Sequence, residues 1–288
     1  MNQNLRFSGH ETFICKQFWL KKGYDYAINH NSFNSPEAVS EMGVGKNMVS
    51  AISYWSKAFG IIDDTNDPTD LGNYILGHEG RDPYLEDIGS LWLLHYSLVR
   101  SGKASIYNLV FNDLIRERNE FSKEQLLSFL KRKCYELSDN MYNERTIKKD
   151  INVFVRNYVK PKKELAKIEV EEDYVALLLD LDLLRSKRVE HSDVFSFQID
   201  HKENLPKEIF LYSLLDRYNS NSISFNELLR GNNSPVQIFC INQEGLYKKI
   251  DDLVNHYKGL TFSRTAGNEV LQISSTFNKR EVLDEYYS

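Results

Sequence analysis

The stretch AVSEMGVGKNMVSAISYW, from Ala38 to Trp55, constrains the fold more than any other part of the chain. It reads as two short helices joined by a tight corner, with Gly43 and Gly45 supplying backbone that tolerates positive φ. Met48, Ile52, Trp55 and Phe59 recur at steps of four, three and four, so they share one helical face. Lys46, Ser50, Ser53 and Lys57 keep the same steps on another face, with Asn47 and Tyr54 beside them. A helix of this kind buries its apolar stripe in a small helical core and turns short polar and basic side chains outward. That is the layout of a helix-turn-helix recognition helix, whose N-terminal part enters the major groove of DNA. An ordinary amphipathic helix in a helical domain would carry the same periodicity.

A chain of 288 residues exceeds the usual domain size and predicts two or three domains. Its 16 Phe and 17 Tyr are ample for several cores. No run approaches the roughly 18 apolar residues that a membrane span requires, and the opening MNQNLR has no apolar stretch like a signal peptide. Cys15, Cys134 and Cys240 lie far apart without metal-ligand spacing, which suits buried thiols in a reduced cytoplasm. The net charge of −5 argues against indiscriminate coating of nucleic acid, yet the charge is unevenly placed. Lys131 to Lys163 holds ten basic residues against four acids, whereas Asp63 to Asp87 holds eight acids against Arg81 alone. A basic segment in an acidic chain fits a localised phosphate-binding surface. It equally fits a face that docks on an acidic partner, including the acidic segment of this chain or of a second copy.

In order along the chain, a helix is expected from Trp19 to about Ile28, and a second after Ser35 as N-cap and Pro36 in its first turn. The corner and the recognition-like helix follow, then a short strand at Ile61-Ile62 and a turn-rich Asp63–Asp70 that could form a wing. Asp82-Pro83-Tyr84-Leu85-Glu86-Asp87 precedes an aromatic helix over Ser90–Val99, and helices are expected over Ser105–Arg116 and Ser122–Lys133. The last of these opens on the capping box Ser122-Lys123-Glu124-Gln125. A basic helix over about Asn143–Val159 carries Ile147, Ile151, Phe154 and Tyr158 on one face, with Arg145, Lys149, Asn152 and Arg156 on another and Lys148 beside them. Past Lys163 come acidic Glu169–Asp173, an apolar Tyr174–Leu184 run, a strand over Asp193–Asp200, three helical segments and a hairpin over Leu260–Ser274 turning at Ala266-Gly267-Asn268. The fold expected is mostly α with small β wings, arranged as tandem winged-helix-like (helix-turn-helix) units. The segments are 1–80 and 166–288, both winged-helix-like, with a helical 81–165 carrying the basic helix between them.

Little in the sequence carries catalytic chemistry. Gly43-Val44-Gly45-Lys46 lacks the spacer between glycines, the hydroxyl residue after the lysine and the preceding strand of a phosphate loop. HExxH, paired CxxC and GxSxG are absent from the sequence. His10 and Glu11 form a polar island between Phe7 and Phe13. Such a pair can act as general base and orienter or as metal ligands, or it can join a buried hydrogen-bond network. They are the candidate catalytic residues. The candidate DNA-binding residues are Lys46, Asn47, Ser50, Tyr54, Lys57, Arg145, Lys148, Lys149, Asn152 and Arg156.

Three stretches together resemble a known family: FSGHETF (7–13) with WLKKG (19–23), GVGKNMV (43–49) with Tyr54-Trp55 and Ala58-Phe59-Gly60, and DPYLED (82–87) with LWLLH (91–95). The chain is similar in these to the SspB-like family of bacterial DNA phosphorothioation and antiphage-defence clusters. The resemblance implies a cytoplasmic protein that binds double-stranded DNA and nicks it so that sulfur can enter one strand. It also implies partners among the phosphorothioation enzymes, namely a cysteine desulfurase, a PAPS-reductase-like protein and an ATPase. A divalent metal, Mg or Mn, would serve the nicking, although no ligand set for one is evident in the sequence. A homodimer is a further expectation. The alternative is a non-catalytic adaptor that presents DNA to the sulfur-transfer enzymes.

Overall fold

The computed structural model describes residues 5–29, 32–137, 142–161, 176–265, 267–274 and 277–288. They are mostly helical, with two small antiparallel sheets. The chain divides into two compact units, Met1–Phe197 and Gln198–Ser288, where the sequence suggests three segments meeting near 80 and 165. The expected acidic 169–173 stretch, the first residues of the apolar run and position 266 of the hairpin turn lie outside the described residues.

The first unit opens with α1 (Trp19–Ala27), α2 (Ala38–Met42) and α3 (Lys46–Ala58). Gly43, at φ 62°, closes α2, and the Val44 N–H returns to the Val39 carbonyl at 3.3 Å. Ser35 does not cap α2. Its carbonyl accepts the Ala38 N–H at 3.2 Å, so Ser35-Pro36 makes a turn ahead of the helix, and Glu37 holds the cap position without a side-chain bond. On α3, Ile52, Trp55 and Phe59 are fully buried as their spacing requires. Val49 heads the stripe, with Met48 half-buried at its edge. In place of the expected strand and wing, the stretch 61–70 forms an isolated bridge, Ile62 to Pro68. The Asp63 carboxylate accepts the N–H groups of Thr65 (2.8 Å) and Asp67 (2.9 Å), closing the loop on itself before a strand can extend.

Thr69 then caps α4 (Asp70–Leu76) through the Gly72 N–H. The DPYLED motif is a turn built on one acid: buried Asp82 accepts the Glu86 and Asp87 N–H groups, each at 3.0 Å. Asp87 in turn caps α5 (Ile88–Ser101), a helix buried on nearly every side. Next come α6 (Ser105–Leu109), a π-helical turn (Val110–Leu114), α7 (Ile115–Glu117), strand β1 (Glu120–Ser122), α8 (Lys123–Leu137) and α9 (Glu144–Tyr158). Ser122 and Gln125 cap α8 reciprocally, at 3.3 and 2.9 Å. Strands β2 (Leu184–Val189) and β3 (Ser192–Phe197) form a hairpin, and β1 pairs with β3 to give the order β1-β3-β2. Phe121 faces Phe195 in that register and Leu184 faces Phe197, so one apolar side of the sheet is buried. The strand expected near 193 thus belongs to the first unit.

The second unit runs α10 (Lys207–Arg217), β4 (Ser222–Ser224), α11 (Phe225–Arg230), α12 (Pro235–Ile238), α13 (Gln243–His256), β5 (Leu260–Thr265), β6 (Asn268–Ile273) and α14 (Lys279–Tyr286). Ser234 caps α12 with Pro235 in its first turn. The sheet order is β4-β6-β5. Helix, short strand, helices and a hairpin whose second strand pairs with that short strand therefore occur in both units. No helix among the described residues is long and apolar enough to cross a membrane.

Candidate functional site

The N-terminal residues form a strap across the first unit. The Arg6 N–H donates to Ser105 Oγ (2.7 Å), and the Arg6 carbonyl accepts the Ser105 N–H (3.1 Å). The Trp55 indole donates to the Phe13 carbonyl (3.2 Å), and the Cys15 N–H to Asn157 (3.1 Å), which itself donates to the Tyr107 hydroxyl (2.7 Å). Between these anchors the chain folds tightly, with Ser8, Gly9, Glu11 and Thr12 all at positive φ. Three of them are not glycine, so the surroundings must hold the conformation.

His10 is the centre of that fold. Its Nδ1 accepts the Thr12 N–H at 3.0 Å, which leaves Nε2 as the protonated nitrogen, donating to Asp150 Oδ1 at 3.0 Å. Asp150, on α9 and 3% exposed, also accepts the Ser8 N–H at 3.0 and 3.1 Å. The imidazole is 4% exposed, stacks on Trp55 (centroids 6.1 Å, planes 19° apart) and meets the Tyr54 ring edge-on at 5.8 Å. Both ring nitrogens are therefore committed inside the protein. Glu11 is exposed, and among the described residues no hydrogen bond or ion pair ties it to His10. The two expected catalytic residues do not converge on a shared cavity: one belongs to the core and the other to the surface.

Gly9 fixes how closely the strap lies on α3. A Cβ built there would sit 2.4 Å from Tyr54 Cδ2, at a φ of +105° that side-chain-bearing residues rarely adopt. Gly9→Ala should lower stability by roughly 1–3 kcal/mol from overpacking alone, read as a fall of roughly 2–12 °C in melting temperature. An unchanged melting temperature would mean that the strap detaches at no cost.

The ten expected DNA-binding residues separate by environment. Lys46, Asn47 and Ser50 are exposed at the start of α3, as are Arg145 and Lys149 on α9. Lys148 is exposed but pairs with Glu144 at 2.6 Å, and exposed Asn152 accepts from Lys123 Nζ at 2.7 Å. Lys57 donates to the Asp64 carbonyl at 3.3 Å, and Arg156 is half-buried. Tyr54 turns inward: its ring covers Gly9 and His10, and burial together with the Asp150 charge pushes its phenol well above the ordinary range. Much of the basic segment is neutralised locally, through Arg132 to Glu117, Lys133 to Asp113 and Lys160 to Asp180.

The second unit brings together three groups that sequence reading did not single out. Glu208 in the first turn of α10, His256 at the end of α13 and Glu285 on α14 each present one ligand atom, all within 4.8 Å of one another. His256 Nε2 is 2.7 Å from Glu285 Oε1. Burial alone would raise the Glu285 carboxyl, but the bond from His256 helps hold it below the usual range. The residues are 48 and 77 positions from Glu208 by their numbers, so no spacing motif could have revealed them.

The family described as Protein of unknown function (DUF4007) matches residues 7–287. The chain belongs to the DUF4007 family. Two solved structures are similar to it over nearly its whole length, covering 98% of this chain and 88% of theirs. A magnesium-ion-bound SspB crystal structure is 28% identical, with a TM-score of 0.86, and an SspB crystal structure is 29% identical, with a TM-score of 0.84. No curated protein matches. This DUF4007 chain is thus SspB-like in both units, and the resemblance of its three motif stretches extends to the fold.

Proposed function

We propose that the protein is the DNA-binding component of a DNA phosphorothioation system and that it nicks DNA for sulfur incorporation into one strand. The observation that carries this reading is its likeness to SspB over 98% of the chain. In this reading α3, α9 and α13 are the third helices of helix-turn-helix or winged-helix units. The order β1-β3-β2 in one unit and β4-β6-β5 in the other supports it, because a wing is a hairpin paired through its second strand to a short strand between helices. The exposed polar starts of α3 and α9 suit phosphate contact. On α13, Asp251 and Asp252 disfavour it.

A specific observation also favours the adaptor reading. His10, the expected catalytic base, spends both ring nitrogens on internal bonds, which leaves no nitrogen for a substrate proton. Supercoiled plasmid incubated with the protein and Mg or Mn should become open circle if nicking is intrinsic. Plasmid that is bound but stays supercoiled, with either metal, would leave the adaptor role in its place.

A further inference from the structure

We infer that Glu208, His256 and Glu285 form a divalent-metal site in the second unit, of a kind suited to a transition metal rather than to magnesium. Three separate helices deliver the donors. Glu208 comes from the first turn of α10, His256 from the last turn of α13, and Glu285 from the last turn of α14. Their ligand atoms already lie within 4.8 Å of one another, so an ion placed among them could bind all three with small side-chain adjustments. Two carboxylates and one imidazole are a mixed oxygen and nitrogen set. Magnesium demands near-ideal octahedral geometry and keeps several waters, whereas an imidazole suits Zn, Fe or Ni. The inference stands apart from the DNA-binding reading and does not depend on it.

Two further features of the site point the same way. Glu208 is a buried carboxylate, 8% exposed, and its paired charge is the Lys207 ammonium, 2.7 Å from Oε1. Lys207 is on the rim and only about two-thirds covered, so the ammonium can swing out when an ion supplies the positive charge. The hydroxyl of Tyr257, next in sequence to His256, is buried at the edge of the cluster, where the Glu285 carboxylate is its hydrogen-bond partner. Glu285 and Glu208 are both close enough to act on it electrostatically. His256 and Glu285 are 45% and 42% exposed, so three protein ligands would leave coordination positions open to solvent, as in sites that hold an exchangeable water. The ion would also tie α14 to α10 and α13, adding a metal clasp to the packing that already holds the C-terminal helix.

The test uses the full chain and the metal ions alone. Calorimetric titration with Zn²⁺, Ni²⁺ and Mg²⁺ should give one site that prefers the transition metals by roughly tenfold or more. His256→Ala and Glu285→Gln should each weaken binding by roughly tenfold or more. Lys207→Gln, which removes the competing ammonium and leaves the ligands intact, should tighten it. Co²⁺-loaded protein should show visible absorption that His256→Ala alters, a spectral reading that separates ligation from a general loss of fold. Equal affinity for Mg²⁺ and Zn²⁺, or transition-metal binding that survives both His256→Ala and Glu285→Gln in folded protein, would overturn the inference and leave two ordinary ion pairs.

Discussion

Asp150→Ala should be among the most damaging single substitutions in the first unit, at about 2–6 kcal/mol, because it leaves the His10 and Ser8 donors without a partner at about 1–3 kcal/mol each. The carboxylate is 3% exposed and the His10 ring 4% exposed, so water cannot readily replace the lost acceptor. His10→Ala should cost less, about 1–3 kcal/mol, since the Asp150 carboxylate keeps the Ser8 N–H. Urea denaturation of the two variants, with circular dichroism as the signal, measures both losses. The Asp150 variant carries a second signature. Burial and the Asp150 charge together hold the Tyr54 phenol up, so removing the charge should let Tyr54 ionise at lower pH in an ultraviolet titration. A catalytic His10 would behave differently: nicking would disappear from His10→Ala while the denaturation midpoint stayed in place.

The largest effect on binding is expected from Lys46→Glu combined with Lys149→Glu. Both lysines are exposed, one opening α3 and the other within α9. If each contacts a phosphate, plasmid affinity should collapse and the slope of log affinity against log salt should fall by about 2. The contrast with Lys148→Glu is informative. Lys148 is already paired with Glu144, so its replacement should matter less. Unchanged binding by the double variant, with native circular dichroism, would take both helices out of the DNA interface.

Sequence made the local elements readable and hid the long-range ones. Ile52, Trp55 and Phe59 had to be buried because a 3.6-residue period places them together, and they are. Thr69, Asp87, Asn143 and Ser234 act where cap residues are expected, since capping is decided within three residues of the chain. The three-stranded sheet of the first unit was not readable. Three-residue β1 carries no periodicity, and its partner β3 lies beyond α8 and α9. Asp150 left a trace in the sequence, as an acid beside Ile147, Ile151 and Phe154 on an apolar face, where a buried charge must find a partner. Nothing local names that partner, because His10 is 140 residues away. Glu208, His256 and Glu285 were silent for the same reason: each alone looks like a charged residue near a helix end.

The His10–Asp150 bond also sets a timetable for the chain's birth. Trp55 and its neighbours emerge from the ribosome early, but the carboxylate that fixes the strap over them is encoded 140 residues after His10. At bacterial and eukaryotic elongation rates of about 5–20 residues per second, that interval lasts roughly 7–30 s. Through it, α1 to α3 would carry an apolar surface with its lid unlatched, within reach of chaperones and of other nascent chains. Full closure of the first unit is then a late event of synthesis, and a slower-translated stretch before residue 150 would lengthen the exposure rather than assist folding.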